Sequence, residues 1–377
     1  MQFEKKLDKY FKKRSETFWD FNVLPKNNFY DMFIIIPAKN ESELIPKLLD
    51  SIKNQKNYNL QKCLTVLIFN SSKKDNLEVE IDNTKSIKYI NDTKLNFEIC
   101  YVDASSKYNY LPEKNAGVGL SRKIGADLAL YYSHPKSIFC FTDADCLLSP
   151  NYLEKINLHY NNNDENFAIV EFKHQRSEDV NQDKAIRSYE QYLIKTAKDM
   201  KMAGSPYGYV SLGSCITCNA TSYLKVGGMN RHKATEDFYF LQELTKHYGN
   251  VPEIKETLVY PSSRISSRVH LGTGYRMHQL INGKSSKDLY FSDDSFLILG
   301  DFINIIKESF GLSHLEILEK TAKVDKLNEF LLKNNFDKIL NSLVVNVDYK
   351  KYISQFHRWF DGLKTIKFLK YFSSIKR

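Results

Sequence analysis

The sequence predicts an α/β protein with a mostly parallel central sheet flanked by helices, followed by a helical C-terminal extension. From about residue 31, short apolar runs of strand length alternate with segments of helical periodicity, which is the pattern of βαβ units. Several of the apolar runs end in polar or acidic residues. Beyond about residue 285 the apolar spacing is mainly helical.

The first thirty residues place aromatic and aliphatic side chains at roughly helical spacing among lysines, as at Phe3, Leu7 and Tyr10. This spacing predicts an amphipathic lead-in helix within residues 1–30. We expect one large domain at residues 31–284. The helical extension at residues 285–377 is expected to pack on that domain.

The strands of the first half are continuous apolar runs, which is typical of strands buried on both faces. They are predicted at residues 32–36, 64–69, 97–102 and 137–141. Helices are expected within residues 40–55 and 117–132. Because a parallel sheet binds its ligand beyond the carboxyl ends of the strands, four polar side chains are expected at one crevice: Asn40, Asn70, Asp103 and Asp145.

The second half alternates less regularly. A strand is predicted at residues 168–172, a helix at 185–198 and another strand at 257–260. Between them, residues 204–213 form a loop rich in Gly, Tyr and Ser, long enough to act as a binding loop or lid.

Composition limits the partners of the chain. Lys and Arg outnumber Asp and Glu by 54 to 45, a modest excess that suits an anionic ligand or an anionic membrane face better than a cationic one. No nucleic-acid partner is expected. The six cysteines are scattered, so we expect no disulfide framework. The apolar runs are too short to span a bilayer and the N-terminus does not resemble a signal peptide, so a cytoplasmic protein is expected.

Two acidic pairs stand where the predicted elements change. Asp143 and Asp145 follow the apolar run 138–141, and their hard oxygen ligands suit Mg²⁺ or Mn²⁺ bridging to a diphosphate. A chance Asp-x-Asp is the alternative. Glu236 and Asp237 open a helix behind a Gly-Gly turn. They are either partners of the helix dipole or a general base, and the local sequence leaves both open.

Four segments, taken together and in this order, resemble glycosyltransferase family 2, which has the GT-A fold. They are residues 37–41 (Pro-Ala-Lys-Asn-Glu), 117–123, 142–145 (Thr-Asp-Ala-Asp), and Gly-Gly-Met at 227–229 followed by Glu236-Asp237. The resemblance covers roughly residues 31–280. It implies an inverting hexosyltransferase of polysaccharide biosynthesis that moves a sugar from a nucleotide-diphosphate sugar, foremost a UDP-sugar, to a hydroxyl of a glycan or lipid-linked acceptor.

The same resemblance implies roles for individual residues. Asp237 is expected to be the general base, with Glu236 beside it, and Asp145 the main ligand of Mn²⁺ or Mg²⁺, with Asp143 nearer the donor. Many members carry an acidic residue where this chain has Asn70. The nucleotide-sugar-binding set is Pro37, Ala38, Asn40, Glu41, Asn70, Arg122, Asp143 and Arg268. Arg122 either supports the donor or pairs with a structural carboxylate.

A late segment at residues 264–274 brings arginines, a histidine and two glycines together. Arg268 suits a diphosphate or a charged acceptor. His270 is a candidate third metal ligand, with an ordinary surface histidine as the alternative.

The last helix, within residues 357–377, interleaves lysines with apolar residues. It either packs on its own domain or lies on an anionic membrane, which would place the protein peripherally on the inner face of the cell membrane. Two other functions are weighed against the transferase. A sugar-nucleotide pyrophosphorylase would need a glycine-rich phosphate loop after the first strand, and a non-catalytic nucleotide-sugar-binding module would not need both Asp145 and Asp237.

Overall fold

A single mixed sheet organises the first part of the chain. The computed structural model describes residues 2–16, 18–265, 273–283, 285–345 and 348–375. These residues form eight strands: β1 (Tyr30–Ala38), β2 (Cys63–Asn70), β3 (Glu98–Ala104), β4 (Ser133–Phe141), β5 (Leu147–Leu148), β6 (Phe167–Phe172), β7 (Ile216–Asn219) and β8 (Glu253–Tyr260). The predicted α/β class is confirmed.

The strands lie in the order β3-β2-β1-β4-β7-β6-β8-β5. The first four are parallel, and Ile35 of β1 pairs with Val66 of β2 and Phe141 of β4. Beyond them β7 is antiparallel to β4 and to β6, β8 is parallel to β6, and β5 is antiparallel to β8. The carboxyl ends of β1 to β4 therefore meet at one edge of the sheet.

Helices connect and follow these strands. They are α1 (Gln2–Lys13), α2 (Ile45–Lys53), α3 (Leu77–Asp92), α4 (Val118–Leu130), α5 (Tyr152–Asn162), α6 (Val180–Met202), α7 (Ala220–Lys225), α8 (Glu236–Tyr248), α9 (Thr273–Ile281), α10 (Asp293–Glu308), α11 (His314–Ala322), α12 (Leu327–Lys333), α13 (Phe336–Leu343), α14 (Tyr349–Trp359) and α15 (Gly362–Ile375). No helix among the described residues is long and apolar enough to cross a lipid bilayer.

The chain divides into two compact units. The first contains residues 1–186, 211–244 and 252–279, and the second contains residues 187–210, 245–251 and 280–377. The second unit has its own aromatic core, in which Phe302 stacks on Phe368 with ring centroids 5.9 Å apart. Phe368, Leu369 and Phe372 of α15 are buried in this core. The buried apolar residues of the last helix thus pack within its own unit, while Lys367 and Lys370 are exposed on the same helix.

The lead-in helix α1 is fastened to α4 by a buried polar cluster. Tyr10 Oη donates to Asp127 Oδ1 at 2.6 Å, and the Lys123 ammonium lies 3.0 Å from Asp127 Oδ2. The Glu16 N–H and the Tyr223 hydroxyl also donate to Asp127. Each carboxylate oxygen of Asp127 is therefore contacted by two donors, which compensates the cost of burying this charge.

The lead-in segment also holds the Gly-Gly turn. Gly227 and Gly228 have φ of 84° and 78°, a region that side chains rarely adopt. A Cβ on Gly227 would lie 2.6 Å from the Arg14 guanidinium, and one on Gly228 would collide with the Tyr10 hydroxyl. Residues 10–14 therefore pack directly against the turn that leads toward Glu236.

We predict that Asp127→Asn lowers the free energy of unfolding of the full chain by about 3–5 kcal/mol, because it leaves Lys123 buried without a counter-charge. The measurement is urea unfolding followed by circular dichroism. Asp92→Asn, at the exposed end of α3, is the matched control and should be nearly silent. Equal stability of the two variants would show that the cluster does not anchor α1.

Candidate active site

One buried guanidinium joins the two acidic pairs predicted from the sequence. Arg122, on α4, donates from Nη1 to Glu236 Oε1 and from Nη2 to Asp143 Oδ1. The side chains of Arg122 and Glu236 are each 3% exposed, whereas that of Asp143 is 37% exposed. Arg122 thus pairs with carboxylates, and both of these carboxylates belong to the predicted site. Its support of the donor stays a prediction.

Glycines allow these elements to approach each other. A Cβ on Gly119, at the start of α4, would lie 2.9 Å from Glu236 Cβ and would collide with the His232 carbonyl. A Cβ on Gly213 would collide with the Arg122 guanidinium. The glycine-rich entrance of α4 therefore lets the segment before α8 pack directly on it, which brings Glu236 to Arg122.

Asp237 is oriented by backbone N–H groups. The Phe238 N–H donates to Asp237 Oδ1 at 2.7 Å, and the Gly213 N–H also interacts with this carboxylate. Burial raises the pKa of Asp237, and Arg122 opposes the rise. As a whole residue, Asp237 is partly exposed.

Three carboxylates, those of Asp143, Glu236 and Asp237, interact with the single positive charge of Arg122. Burial raises the pKa of Glu236 to about 8, with Arg122 opposing and Asp237 adding to the rise. Burial alone would lower the pKa of Arg122, but Asp143 and Glu236 outweigh it and the pKa lies above its usual value. The rise in the pKa of Glu236 therefore comes first from burial, and the neighbouring carboxylates add to it.

A second arginine bridges the metal-ligand candidate and the first loop. Arg264, just after β8, lies with Nε 3.0 Å from Asp145 Oδ2 and donates from Nη2 to Glu41 Oε1. Burial raises the pKa of Asp145 to about 6, and Arg264 opposes the rise. The sequence prediction gave Arg264 no role of its own, although it opens the same basic segment, residues 264–274, that contains Arg268 and His270.

The donor set at the end of β4 fits a divalent cation. Ligand atoms of Asp143, Asp145 and Cys146 lie within 4.8 Å of one another. Burial raises the pKa of the Cys146 thiol well above its usual value, and its soft sulfur suits Mg²⁺ or Mn²⁺ less well than carboxylate oxygens do. The two carboxylates are the hard oxygen ligands that Mg²⁺ and Mn²⁺ prefer.

Four of the residues predicted to bind the nucleotide lie at the ends of β1 and β2. Pro37 and Ala38 lie inside β1 and are buried, and Asn40 follows in a left-handed conformation with φ of 56°. Asn70, at the end of β2, is buried and donates to the Ala38 carbonyl at 2.9 Å, which ties the two strand ends together. Next to it a small cleft of about 160 Å³ is lined by Ser71, Ser72, Asp75, Asn76, Leu77, Glu80 and Tyr110.

Two further predicted site residues, Arg268 and His270, lie outside the described residues. Their contacts with the donor, acceptor or metal remain predictions. Of the other predicted residues, one group lies around Arg122 and a second around Arg264. Pro37, Ala38, Asn40 and Asn70 lie apart from both, at the ends of β1 and β2.

Residues 33–220 match the family model described as Glycosyl transferase family 2. The chain belongs to glycosyl transferase family 2. This confirms the predicted family, the GT-A type of α/β fold and the glycosyltransferase activity, and it decides against the pyrophosphorylase.

Solved structures of glycosyltransferases are similar to this chain at low identity. Staphylococcus aureus TarS 1-349 in complex with UDP-GlcNAc is 15% identical, with 86% of this chain and 81% of that chain covered and a TM-score of 0.44. A mannosyltransferase from Pyrobaculum calidifontis in complex with GDP-Man and Mn²⁺ is 13% identical, with 100% and 93% covered and a TM-score of 0.41. Such distant likenesses carry no inference about donor or acceptor. No curated protein sequence matches the chain.

The raised pKa of Glu236 predicts a pH dependence of stability in this glycosyltransferase. Its pKa rises from the ordinary 4.5 to about 8, so between these values the folded state holds a proton that the unfolded chain releases. The free energy of unfolding must then fall as pH rises through that window. Glu236→Gln removes this contribution and should flatten the fall between pH 5 and pH 8 in urea unfolding.

The exposed Glu43→Gln is the control for that experiment and should follow the wild type at both pH values. A Glu236→Gln variant with the same pH dependence as the wild type would mean that the proton is held elsewhere.

Proposed function

We propose that this enzyme is an inverting glycosyltransferase, with Asp237 as the general base. It moves a sugar from a nucleotide-diphosphate sugar, foremost a UDP-sugar, to a hydroxyl of a glycan or lipid-linked acceptor. One observation carries the proposal: the Arg122 guanidinium lies between Glu236, next to Asp237, and Asp143 of the acidic pair after β4. This arrangement supports a general base and a diphosphate site that lie on either side of one arginine side chain.

Asp237 has the environment that proton transfer requires. Its carboxylate would take the proton of the acceptor hydroxyl while the oxygen forms its bond to the anomeric carbon. The bond from that carbon to the diphosphate breaks at the same time, and its electron pair leaves with the diphosphate. The raised pKa of Asp237 strengthens it as a proton acceptor, while the Phe238 N–H fixes the carboxylate in place.

Asp143 and Asp145 are the residues that would hold a divalent cation, Mn²⁺ or Mg²⁺. When bound, such an ion neutralises the negative charge that builds up on the departing diphosphate. Arg264 already compensates Asp145 and Glu41 with its own positive charge. Its guanidinium, with Nε 3.0 Å from Asp145 Oδ2, suits a phosphate oxygen equally well.

The nucleotide is proposed to lie beyond the ends of β1 and β2. The cleft after Asn70 is lined by polar side chains, and the Tyr110 hydroxyl donates to Glu80 at 2.8 Å on its wall. Asn40, held by its N–H to Asn83 Oδ1 at 3.0 Å, would line the approach to this cleft. Six polar residues and one leucine line this cleft, a mixture that suits a base and its ribose.

The enzyme is further proposed to work in the cytoplasm. All six cysteines are free and buried. Unpaired thiols in this number fit a reducing compartment.

Two substitutions separate the proposed roles. Asp237→Asn should lower the rate of sugar release from a UDP-sugar by about 10² to 10⁴ while leaving Mn²⁺-dependent UDP binding nearly intact. Asp145→Asn should weaken Mn²⁺-dependent UDP binding by at least about tenfold. Calorimetry with UDP and Mn²⁺ measures binding, and the UDP-sugar that the wild type hydrolyses fastest, chosen from a panel, serves for the rate.

Asp92→Asn is the matched control, since Asp92 is an exposed aspartate at the end of α3 that leads into β3 and has no predicted role in the site. It should behave as the wild type in both measurements. A wild-type rate in Asp237→Asn would remove the base assignment. Equal UDP affinity in the wild type and Asp145→Asn would remove the metal assignment.

A further inference from the structure

The second unit contains an open cavity that the catalytic proposal does not use. It has a volume of about 480 Å³ and lies among α12, α13, the end of α14 and the start of α15. Its polar and aromatic lining consists of Lys333, Asn334, Asn335, Lys338, Trp359 and Lys364. The volume falls in the range of small-molecule sites.

The cavity is strongly basic. Three of its lining residues are lysines, and of these Lys333 forms an ion pair with Glu329 at 2.7 Å, between two side chains that are both more than half exposed. Such an exposed pair is weak and readily exchanged for another anion. Asp361, which precedes Lys364 in the chain, pairs with Lys246 at 3.4 Å. In the part of the chain that the structure describes, Lys338 and Lys364 have no carboxylate partner.

Trp359 presents an aromatic surface beside these charges. Its ring packs against Phe336 with centroids 5.1 Å apart, so it is anchored in the core, yet it keeps partial exposure to the cavity. The Lys364 ammonium lies 5.6 Å from its ring centroid. A flat, rigid apolar face next to cations suits a ligand that has both an apolar ring face and a negative charge.

The turn between α12 and α13 adds fixed hydrogen-bonding groups. Asn335 adopts a left-handed conformation with φ of 59°, and Asn334 Nδ2 donates to the Phe330 carbonyl at 2.8 Å. This bond holds the Asn334 side chain and leaves its Oδ1 as an acceptor. Amide groups at such positions suit the hydroxyls of a sugar.

We propose that this cavity binds an acidic saccharide, a sugar that bears a carboxylate or phosphate group. The lysines pair with the anionic group, the Trp359 ring stacks on the sugar face, and the asparagines bond its hydroxyls. An inorganic anion would use only the lysines. A membrane surface would require Trp359 to insert into lipid, whereas its ring is anchored against Phe336.

The test is a fluorescence titration of the full-length Trp19→Phe variant, in which Trp359 is the remaining tryptophan of the two in the chain. Glucose 6-phosphate and glucuronic acid are the probes. Each should give a saturating change in Trp359 emission that glucose and inorganic phosphate do not reproduce. The Lys338→Gln/Lys364→Gln double variant should bind about tenfold more weakly or worse.

Lys367→Gln/Lys370→Gln is the matched control, because it removes the same charge from exposed positions of α15 outside the cavity. It should bind like its parent. The proposal is overturned if both double variants bind equally, if inorganic phosphate binds as tightly as glucose 6-phosphate, or if only phosphatidylglycerol vesicles change the emission. Calorimetry on the unmodified chain repeats the titration should Trp19→Phe fail to fold.

Discussion

The site depends on a buried positive charge shared by opposing carboxylates. Arg122 could not be buried alone, because removing a guanidinium from water is costly unless it is paired and hydrogen-bonded. Glu236 and Asp143 supply that compensation from α8 and from the end of β4. The pairing therefore fixes where α8 begins relative to the sheet, and with it the carboxylate of Asp237.

Helix α4 contributes two buried cations, which form ion pairs on different sides of the helix. Arg122 and the adjacent Lys123 project from different sides of the helix, since successive residues are about 100° apart. Arg122 contacts the acidic pairs of the site. Lys123 contacts Asp127 of the same helix and Tyr10 of the lead-in helix α1. Because Tyr10 also packs on the Gly-Gly turn, a segment outside the family-matched residues 33–220 supports the chain that leads to Glu236.

A helix or strand could be predicted from the sequence where its buried residues form a simple apolar pattern. Strands β1 and β2 and the second half of β4 are largely apolar and buried, which is the pattern that predicts them, and Asp143 and Asp145 follow β4. Helix α3 gives no such pattern, because two of its three buried residues are the polar Asn83 and Ser86. Strand β7 is four residues long, too short for periodicity to distinguish it from a loop.

The contacts of the site were harder to predict than its members. Glu236 and Asp143 lie 114 and 21 positions from Arg122 in the sequence, and Arg264 lies 223 positions from Glu41. Nothing local indicates such pairs, because they arise from the sheet order and from close approach at Gly119 and Gly213. The raised pKa of Glu236 depends on the same convergence, since the packing of α8 on α4 buries this carboxylate and brings Asp237 and Asp143 near it.

Arg122→Lys tests most directly whether one forked side chain organises both halves of the site. Lysine keeps the positive charge but cannot donate to two carboxylates in the fixed geometry of a guanidinium. In a variant that circular dichroism shows to be folded, Mn²⁺-dependent UDP affinity and the rate of sugar release from a UDP-sugar are measured together. We predict that both fall. Wild-type values for both, or a loss confined to one, would contradict the role of Arg122 as the shared link.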